Sequence, residues 1–403
     1  MTTTADRRNL WTVLALLFTT GWATNHFVAM MPVLHDRNGI GDAALEGAFG
    51  VYAIGLLPGL LTGGGISDRV GRKPVVLVGA TGAALGNLLM LLWHTEPGVF
   101  VGRFAVGLGV GLAVSAGTAW SADVGGSRGT VFAGAVLTSG FAVGPLASGL
   151  IAQFTDGAAL IAPFAVTVTG SLLAVVAGLA VPNSRRTVSE SPVMESTVAE
   201  STVAESTDVT DSTVRGPRSL SRALVTSLPM SLWVFASVTI SVVTMAGRMS
   251  SFSGPWVPGV AAVLALGSGV AVQVIARRNS WGARAGVCGA LLSAVGFVIV
   301  AASGSDPAPV AFVAASIVLG SGYGLCLREG LLDVETFAPA DRIGLATGIF
   351  YVGTYLGFGL PVLLRVIAPT VGIVAPIVVL AVMAAGCAGI RGMQLRSGVL
   401  AGR

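Results

Sequence analysis

Charge is what this chain has least of. Only 10% of its 403 residues are Asp, Glu, Lys or Arg, whereas an ordinary soluble domain carries roughly 25%. A water-soluble globule would lack its ionic surface at that level, and the 53% hydrophobic content excludes a disordered chain. Lysine is almost missing: Lys73 stands alone against 22 arginines, a skew that reads as a GC-rich genome rather than as chemistry. The three cysteines, Cys288, Cys326 and Cys387, all lie in apolar stretches. Free thiols there behave as small hydrophobes, so a disulfide scaffold is a poor reading. His26, His35 and His94 are scattered, and the chain has no H-E-x-x-H, no paired C-x-x-C and no phosphate-cradling glycine loop. An enzyme, a bound metal, another cofactor and ATP as energy source are therefore not expected.

What is present is long apolar runs. They fall at about 10–31, 46–66, 75–93, 99–122, 129–152 and 159–181, and again at about 225–247, 256–276, 285–303, 308–327, 343–365 and 370–390. Each approaches the roughly 20 residues that a helix needs to cross hydrocarbon. They are continuous rather than alternating and too long for barrel strands, so helices are expected, the form that satisfies its own backbone bonds in lipid. The fold class is all-α integral membrane, with two pseudo-symmetric six-helix halves at 1–181 and 225–403. The lipid bilayer is thus the first partner.

The few charges are informative in their placement. Arg7, Arg8, Arg69, Arg72, Lys73, Arg128, Arg277, Arg278, Arg284, Arg342 and the tail arginines gather at one set of ends. The opposite loops hold little beyond Arg37, with Arg248 and Arg365 at helix ends. The positive-inside rule then puts both termini in the cytoplasm. That placement accounts for the net charge of +4 without a nucleic-acid partner. Arg7 and Arg8 before an apolar run resemble a signal peptide, but the run is long and lacks a convincing cleavage site before Pro32, so it is read as a retained first span.

Between the halves, 182–224 is polar and carries the repeat Glu195-Ser-Thr-Val-Ala, Glu200-Ser-Thr-Val-Ala, Glu205-Ser-Thr. Such a tract cannot bury enough surface to order itself, and a disordered cytoplasmic linker is expected ahead of a regulatory element.

After the second run the chain reads Gly64-Gly65-Ile66-Ser67-Asp68-Arg69-Val70-Gly71-Arg72-Lys73-Pro74. This strongly resembles the G-x-L-a-D-r-x-G-r-k signature of the major facilitator superfamily between helices two and three. Gly64, Asp68, Arg69, Gly71, Arg72 and Lys73 match, with Ile66 and Ser67 as mild departures. The glycines permit a tight turn and close approach. The resemblance implies a conformational latch, in which this loop joins a charge network with the end of helix four, where Asp123 stands. The fourth run starts Gly102-Arg103-Phe104-Ala105-Val106-Gly107-Leu108-Gly109, similar to the family's R-x-x-q-G-x-G with Val106 in place of Gln. Arg103 inside a span is costly and expected to face the interior rather than to snorkel. The fifth run holds Gly140, Gly144, Pro145 and Gly149, resembling the G-x-x-x-G-P-x-x-G-G pattern of the family's exporters, with Ser148 replacing one glycine. Small residues four apart let helices pack closely, and the proline bends one. The counterpart of the latch in the second half, Arg277 to Arg284, has lost its aspartate. The turn from Arg328-Glu329 through Asp333, Glu335 and Asp341-Arg342 reads equally as substitute ion pairs or as a solvated loop.

In this architecture substrate sits near the midplane. Trp22, Asn25, His26 and Ala29 share a face of helix one; Ser237, Ser241, Thr244 and Arg248 share one of helix seven; Tyr351, Tyr355 and Phe358 lie on helix eleven. They read either as an amphipathic cavity or as ordinary packing and helix-carbonyl bonds. No acidic residue is expected in the middle of any span. Coupling to protons then falls to His26 or to the Asp68–Asp123 corner, with a neutral core His26 as the competing reading. The expected function is a monomeric, proton-coupled exporter of drugs or small metabolites in the cytoplasmic membrane. An uptake symporter is the alternative, and a membrane sensor or enzyme is less favoured. Arg103 and Arg248 with few embedded acids favour neutral or anionic substrates over strong cations.

Overall fold

The computed structural model of the chain describes residues 4–183, 218–251 and 254–400. The acidic pentad repeat and the expected disordered linker around it fall largely in 184–217, outside the described residues.

Twelve helices are long and apolar enough to span a membrane. In chain order they are α1 (Arg7–Asn38), α2 (Asp42–Val70), α3 (Arg72–Leu92), α4 (Glu96–Gly126), α5 (Arg128–Phe154), α6 (Ala162–Leu179), α7 (Leu220–Arg248), α8 (Val257–Arg278), α9 (Arg284–Ala302), α10 (Pro309–Phe337), α11 (Ala340–Val371) and α12 (Val374–Arg396). No strand occurs among the described residues. Ile54, Leu173 and Val382 are 63%, 65% and 66% exposed. Apolar surface of that kind is penalised by water and not by lipid, and the protein is a multi-pass membrane protein.

By contact the chain divides into two compact units, Met1–Val203 with Gly254–Val260, and Ala204–Ser253 with Ala261–Arg403. The first residues of α8 group with the first unit because Gly259 backs directly onto the main chain of Leu146 on α5.

In the first unit α4 lies between two neighbours and meets both through glycine. A Cβ at Gly107 would strike the Tyr52 carbonyl of α2, and one at Gly109 would fall 2.5 Å from the Ala83 nitrogen of α3. Close approach of two backbones is how membrane helices associate without a hydrophobic drive between them. Gly107→Leu is expected to cost at least about 1–3 kcal/mol by overpacking, read as a lower melting temperature in detergent. Gly170→Ala on α6, where nothing lies within 4 Å of the new carbon, is the neutral control. Trp120, Val13, Leu16 and Val76 form the apolar centre beside this glycine seam.

Several helices run past their expected ends, and one extension changes the chemistry. The tenth helix was expected to stop near 327, but α10 continues to Phe337 and carries Glu329 and Asp333 as fully buried residues. Of the two readings of the segment from Arg328, the residues follow the ion-paired one rather than the solvated loop, and Glu329 and Asp333 sit toward the end of α10 rather than at its middle. Glu46 at 6% exposure, inside α2, is a further buried carboxyl. Opposite charges on neighbouring helices offset the desolvation that a lone carboxylate would suffer. α7 begins at Leu220, ahead of the expected 225, where Ser219 Oγ accepts a hydrogen bond from the Arg222 amide and caps the helix.

Candidate functional site

The junction of α2 and α3 builds a charged corner in the first unit. Gly71, at φ 101°, takes a conformation closed to most side chains and lets α3 start at once with Arg72. The Arg72 side chain is only 5% exposed. Its Nη2 lies 2.6 Å from Asp68 Oδ1 and its Nε 3.6 Å from Asp123 Oδ2 at the end of α4. Nη1 donates to Ser67 Oγ at 2.5 Å, so a residue that departs from the family pattern completes the cradle. Lys73 Nζ donates to the Leu179 carbonyl at 2.6 Å, tying α3 to the end of α6. Arg69 is exposed. Gly64 is not in a turn as expected: α2 stays helical through Val70, and only Gly71 supplies the reversal.

Arg103 on α4 is fully buried. Nη1 donates to the Thr24 carbonyl at 2.8 Å, and the guanidinium lies 4.6 Å from the ring centres of both Phe27 and Tyr52 and 5.9 Å from that of Phe49. Ring faces attract a desolvated cation. Its Nε and Nη2 make no hydrogen bond. This is a positive charge held by aromatics and one carbonyl, with polar capacity to spare.

Around the break in α1 the polar residues part company. His26 falls between two helical pieces, Thr4–Asn25 and Phe27–Asn38. It is fully buried, with Nε2 2.7 Å from Asn87 Oδ1 on α3 and its ring edge-on to Phe164 at 4.9 Å. Trp22 and Asn25 are half-buried on another side of α1: Trp22 Nε1 donates to Thr167 Oγ1 at 3.0 Å and Asn25 Nδ2 to the Phe141 carbonyl at 2.8 Å. The α5 glycines hold this side. A Cβ at Gly140 would lie 3.0 Å from the Trp22 nitrogen, and one at Gly144 2.9 Å from the Trp22 Cα. Pro145 follows inside α5, and Gly149 backs onto Trp256, whose Cα would be 2.6 Å from an added carbon.

In the second unit the serines expected to line a cavity join helices instead. Ser237 Oγ lies 3.1 Å from Ser293 Oγ, and Ser241 Oγ donates to Ser316 Oγ at 2.9 Å, all fully buried. Thr244 is half-buried, and its hydroxyl makes no hydrogen bond. Ser241 and Thr244 sit in a π-helical segment, Ile240–Met245, a wide turn that recurs at functional sites. Tyr351 is buried, whereas Tyr355 and Phe358 are half-buried and pack on Phe235 at 4.8 and 4.9 Å between ring centres. Tyr323 stacks on the same Phe235 at 6.4 Å. Phe235 and Tyr323 carry no sequence signal that sets them apart, since each shares its helix with other aromatics, Trp233 on α7 and Phe312 and Phe337 on α10.

Sequence reasoning offered ion pairs around Glu329 and Asp333 as one of two readings, and what it missed is Arg391, which makes them a buried charge cluster. Arg391 on α12 grips Asp333 on α10 with both ends, Nη1 to Oδ2 at 2.5 Å and Nη2 to Oδ1 at 3.0 Å. Glu329 Oε2 lies 3.7 Å from Arg391 Nη2, and Arg328 pairs with Glu329 Oε1. Arg391 also reaches the Thr226 carbonyl on α7 at 3.3 Å. Gly286 on α9 leaves it room: an added carbon there would lie 2.8 Å from Arg391 Nε. The available signal was the i, i+4 spacing of Glu329 and Asp333, which puts both on one helix face.

Outside the spans, Asp306 before α10 accepts from the Ser250 hydroxyl at 2.6 Å and from its amide at 3.1 Å. First the side-chain and then the backbone hydrogen bond hold its carboxyl below the usual carboxylate range. The tie is therefore present above the ordinary carboxylate pKa and lost as pH falls through the lowered one. Ser250→Ala is expected to move Asp306 back up, read by carboxyl-carbon NMR titration; an unmoved titration would contradict this tie.

Among the described residues no group of three or more His, Cys, Asp or Glu is placed to hold a metal ion.

Comparison with known proteins adds three findings. The family model described as Major Facilitator Superfamily matches residues 12–362. The multidrug resistance protein MdtL of Klebsiella pneumoniae (strain 342) is 37% identical over 98 residues, which is 24% of this chain and 24% of that protein. MdtL of Shewanella oneidensis is 34% identical over 98 residues, with the same 24% of each chain covered. The match thus spans only about a quarter of these relatives' length. Among solved structures, a POT family transporter in complex with a thioalcohol-conjugated peptide superposes with a TM-score of 0.75 at 15% identity, covering 97% of this chain and 96% of that one. A POT family transporter in complex with 5-aminolevulinic acid gives 0.74 at 16% identity, with 97% and 96% covered. At such identity these two structures speak for the fold alone.

Proposed function

The chain belongs to the major facilitator superfamily, and from that premise we propose that it exports drugs or small metabolites across the cytoplasmic membrane in exchange for protons. The family and the fold are those of transporters. The observation that carries export in particular is α5, where Gly140 and Gly144 press onto the Gly21–Trp22 backbone of α1 just before Pro145. A glycine seam beside a proline bend suits a helix pair that must slide and rock. The partial similarity to multidrug resistance proteins points the same way.

In this reading Asp68, Arg69, Gly71, Arg72, Lys73 and Asp123 form a latch that favours one of the two alternating states. The half-buried Trp22 and Asn25 in one unit, and Tyr355, Phe358 and Phe235 in the other, offer flat apolar faces with a few donors. Arg103, with two nitrogens unengaged, favours neutral or anionic cargo. Both termini lie in the cytoplasm, and the transporter works as a monomer. The test is an accumulation and efflux screen of an expressing strain across chemically varied compounds, repeated in inverted vesicles with an imposed pH gradient. Export requires substrate addition to discharge the gradient. Accumulation inside cells would instead favour uptake, and no movement of any compound would defeat the reading.

The proton is assigned to His26 or to the Asp68–Asp123 corner. His26→Gln keeps a side chain able to bond Asn87 but cannot titrate near neutrality. It is expected to lower gradient-driven transport while substrate binding persists. Full transport by this variant removes His26 from the coupling step.

A further inference from the structure

The first unit contains a cavity of about 400 Å³ between the start of α1 and the turn joining α4 to α5. That volume lies within the usual range of small-molecule sites. We propose that it binds the phosphate headgroup of an anionic phospholipid from the leaflet at that end of the bundle.

The argument starts from two guanidinium groups. Arg7 and Arg128 both line the cavity, and both are exposed. Neither is ion-paired with a described carboxylate. Asp123, at the end of α4 ahead of Arg128, is engaged 3.6 Å away by Arg72. Two such groups on facing elements suit a phosphate, to which arginine offers forked, charge-assisted hydrogen bonds.

The turn that brings Arg128 to this place depends on one glycine. Gly126 has φ 59° and ψ −146°, a conformation open essentially to glycine alone, and α5 starts two residues on, at Arg128. The start of a helix adds the positive end of its dipole to the same place.

The remaining walls are apolar and aromatic. Trp11 and Phe132 are 54% and 43% exposed, with ring centres 6.3 Å apart, and Leu14 is buried beneath them. A free phosphate needs no such wall. A phospholipid does, because its glycerol and first methylenes continue from the phosphate into hydrocarbon. The depth agrees as well: Arg7 and Arg128 stand just before the apolar runs that begin at about 10 and 129. Arginine and tryptophan are both at home in the interfacial layer. Two basic groups in that layer favour an anionic lipid over a zwitterionic one. The inference uses the membrane-spanning fold and is independent of the cargo and of the direction of transport.

The full chain, purified in neutral detergent, tests it. Phosphatidylglycerol with brominated tails is titrated in, and the quenching of tryptophan emission is compared between the wild type and Trp11→Phe to isolate Trp11. Saturable quenching of Trp11 is expected with phosphatidylglycerol and not with brominated phosphatidylcholine. Arg7→Gln combined with Arg128→Gln should weaken it at least about tenfold, the loss expected when two interfacial cations go. Arg277→Gln combined with Arg278→Gln removes the same charge from exposed residues of the other unit and should leave it unchanged. Melting temperature accompanies each variant, and a variant that melts early is replaced by the single Arg128→Gln. Equal quenching by both lipids, equal loss in the two double variants, or displacement of the lipid by inorganic phosphate at low millimolar concentration would each overturn the proposal.

Discussion

Replacing Arg391 with alanine is expected to destabilise the protein by about 3–5 kcal/mol, the cost of leaving buried charge uncompensated. Arg391, Asp333 and Glu329 are all fully buried. The pair formed with Asp333 is bidentate, and a further contact runs to Glu329 at 3.7 Å. Without the guanidinium, Asp333 loses its two charge-assisted bonds and Glu329 its contact at 3.7 Å. The arginine also binds α7 through the Thr226 carbonyl, so the loss loosens three helices together. Arg391→Lys keeps the charge but not the fork, and should fall between wild type and alanine. Asp333→Leu combined with Arg391→Leu removes both charges of the main pair and should recover much of the loss, as replacing buried ion pairs by apolar groups commonly does. Melting curves in detergent read all three. A melting temperature for Arg391→Ala within a degree of wild type would show that the cluster is not closed as described.

The second large effect is on transport. Asp68→Asn is expected to reduce efflux about tenfold or more while the protein still inserts and folds. Asp68 supplies the shortest ion pair to Arg72, at 2.6 Å against 3.6 Å for Asp123. Amide in place of carboxylate removes the charge and keeps the shape. If the pair stabilises one alternating state by about 1.4 kcal/mol relative to the other, its loss changes their ratio about tenfold. Asp68 is partly exposed, which screens the pair and keeps the effect on stability small. Asp123→Asn should act in the same direction and less strongly. Both are read in vesicles containing equal amounts of protein. Unchanged efflux by Asp68→Asn would remove the latch role from this corner, and a protein that fails to fold would recast the corner as structural.

These two expectations differ in how far the sequence foretold them. The Asp68 corner was legible because its residues lie close together along the chain, and only Asp123 comes from elsewhere. Even there the sequence missed Ser67 as a partner of Arg72, since a small hydroxyl carries no signal until a guanidinium is placed 2.5 Å from it. The Arg391 cluster was only half legible, for a complementary reason. Charges near the end of an apolar run read as a turn, so the tenth span is cut short there and Glu329 and Asp333 stay open between ion pairs and a solvated loop. Their partner comes from α12, 58 residues beyond Asp333. The helix-one face was divided for a similar reason. The break at His26 turns that side chain toward Asn87 and Phe164, while Trp22 and Asn25 meet α5 and α6.

Scarcity of charge and twelve apolar runs determined the class of this protein, because hydrocarbon admits only segments that satisfy their own backbone and carry few charges. Spacing of glycine, proline, aspartate and arginine identified the family through short stretches whose members act locally. Tertiary structure decided which helices carry buried ions, which polar residues face a neighbour and which remain partly open, and where two arginines share one cavity. Those outcomes depend on pairing across helices. Glu329 and Asp333 are held inside their span by Arg391 of another helix, and local sequence spacing does not reveal that partner.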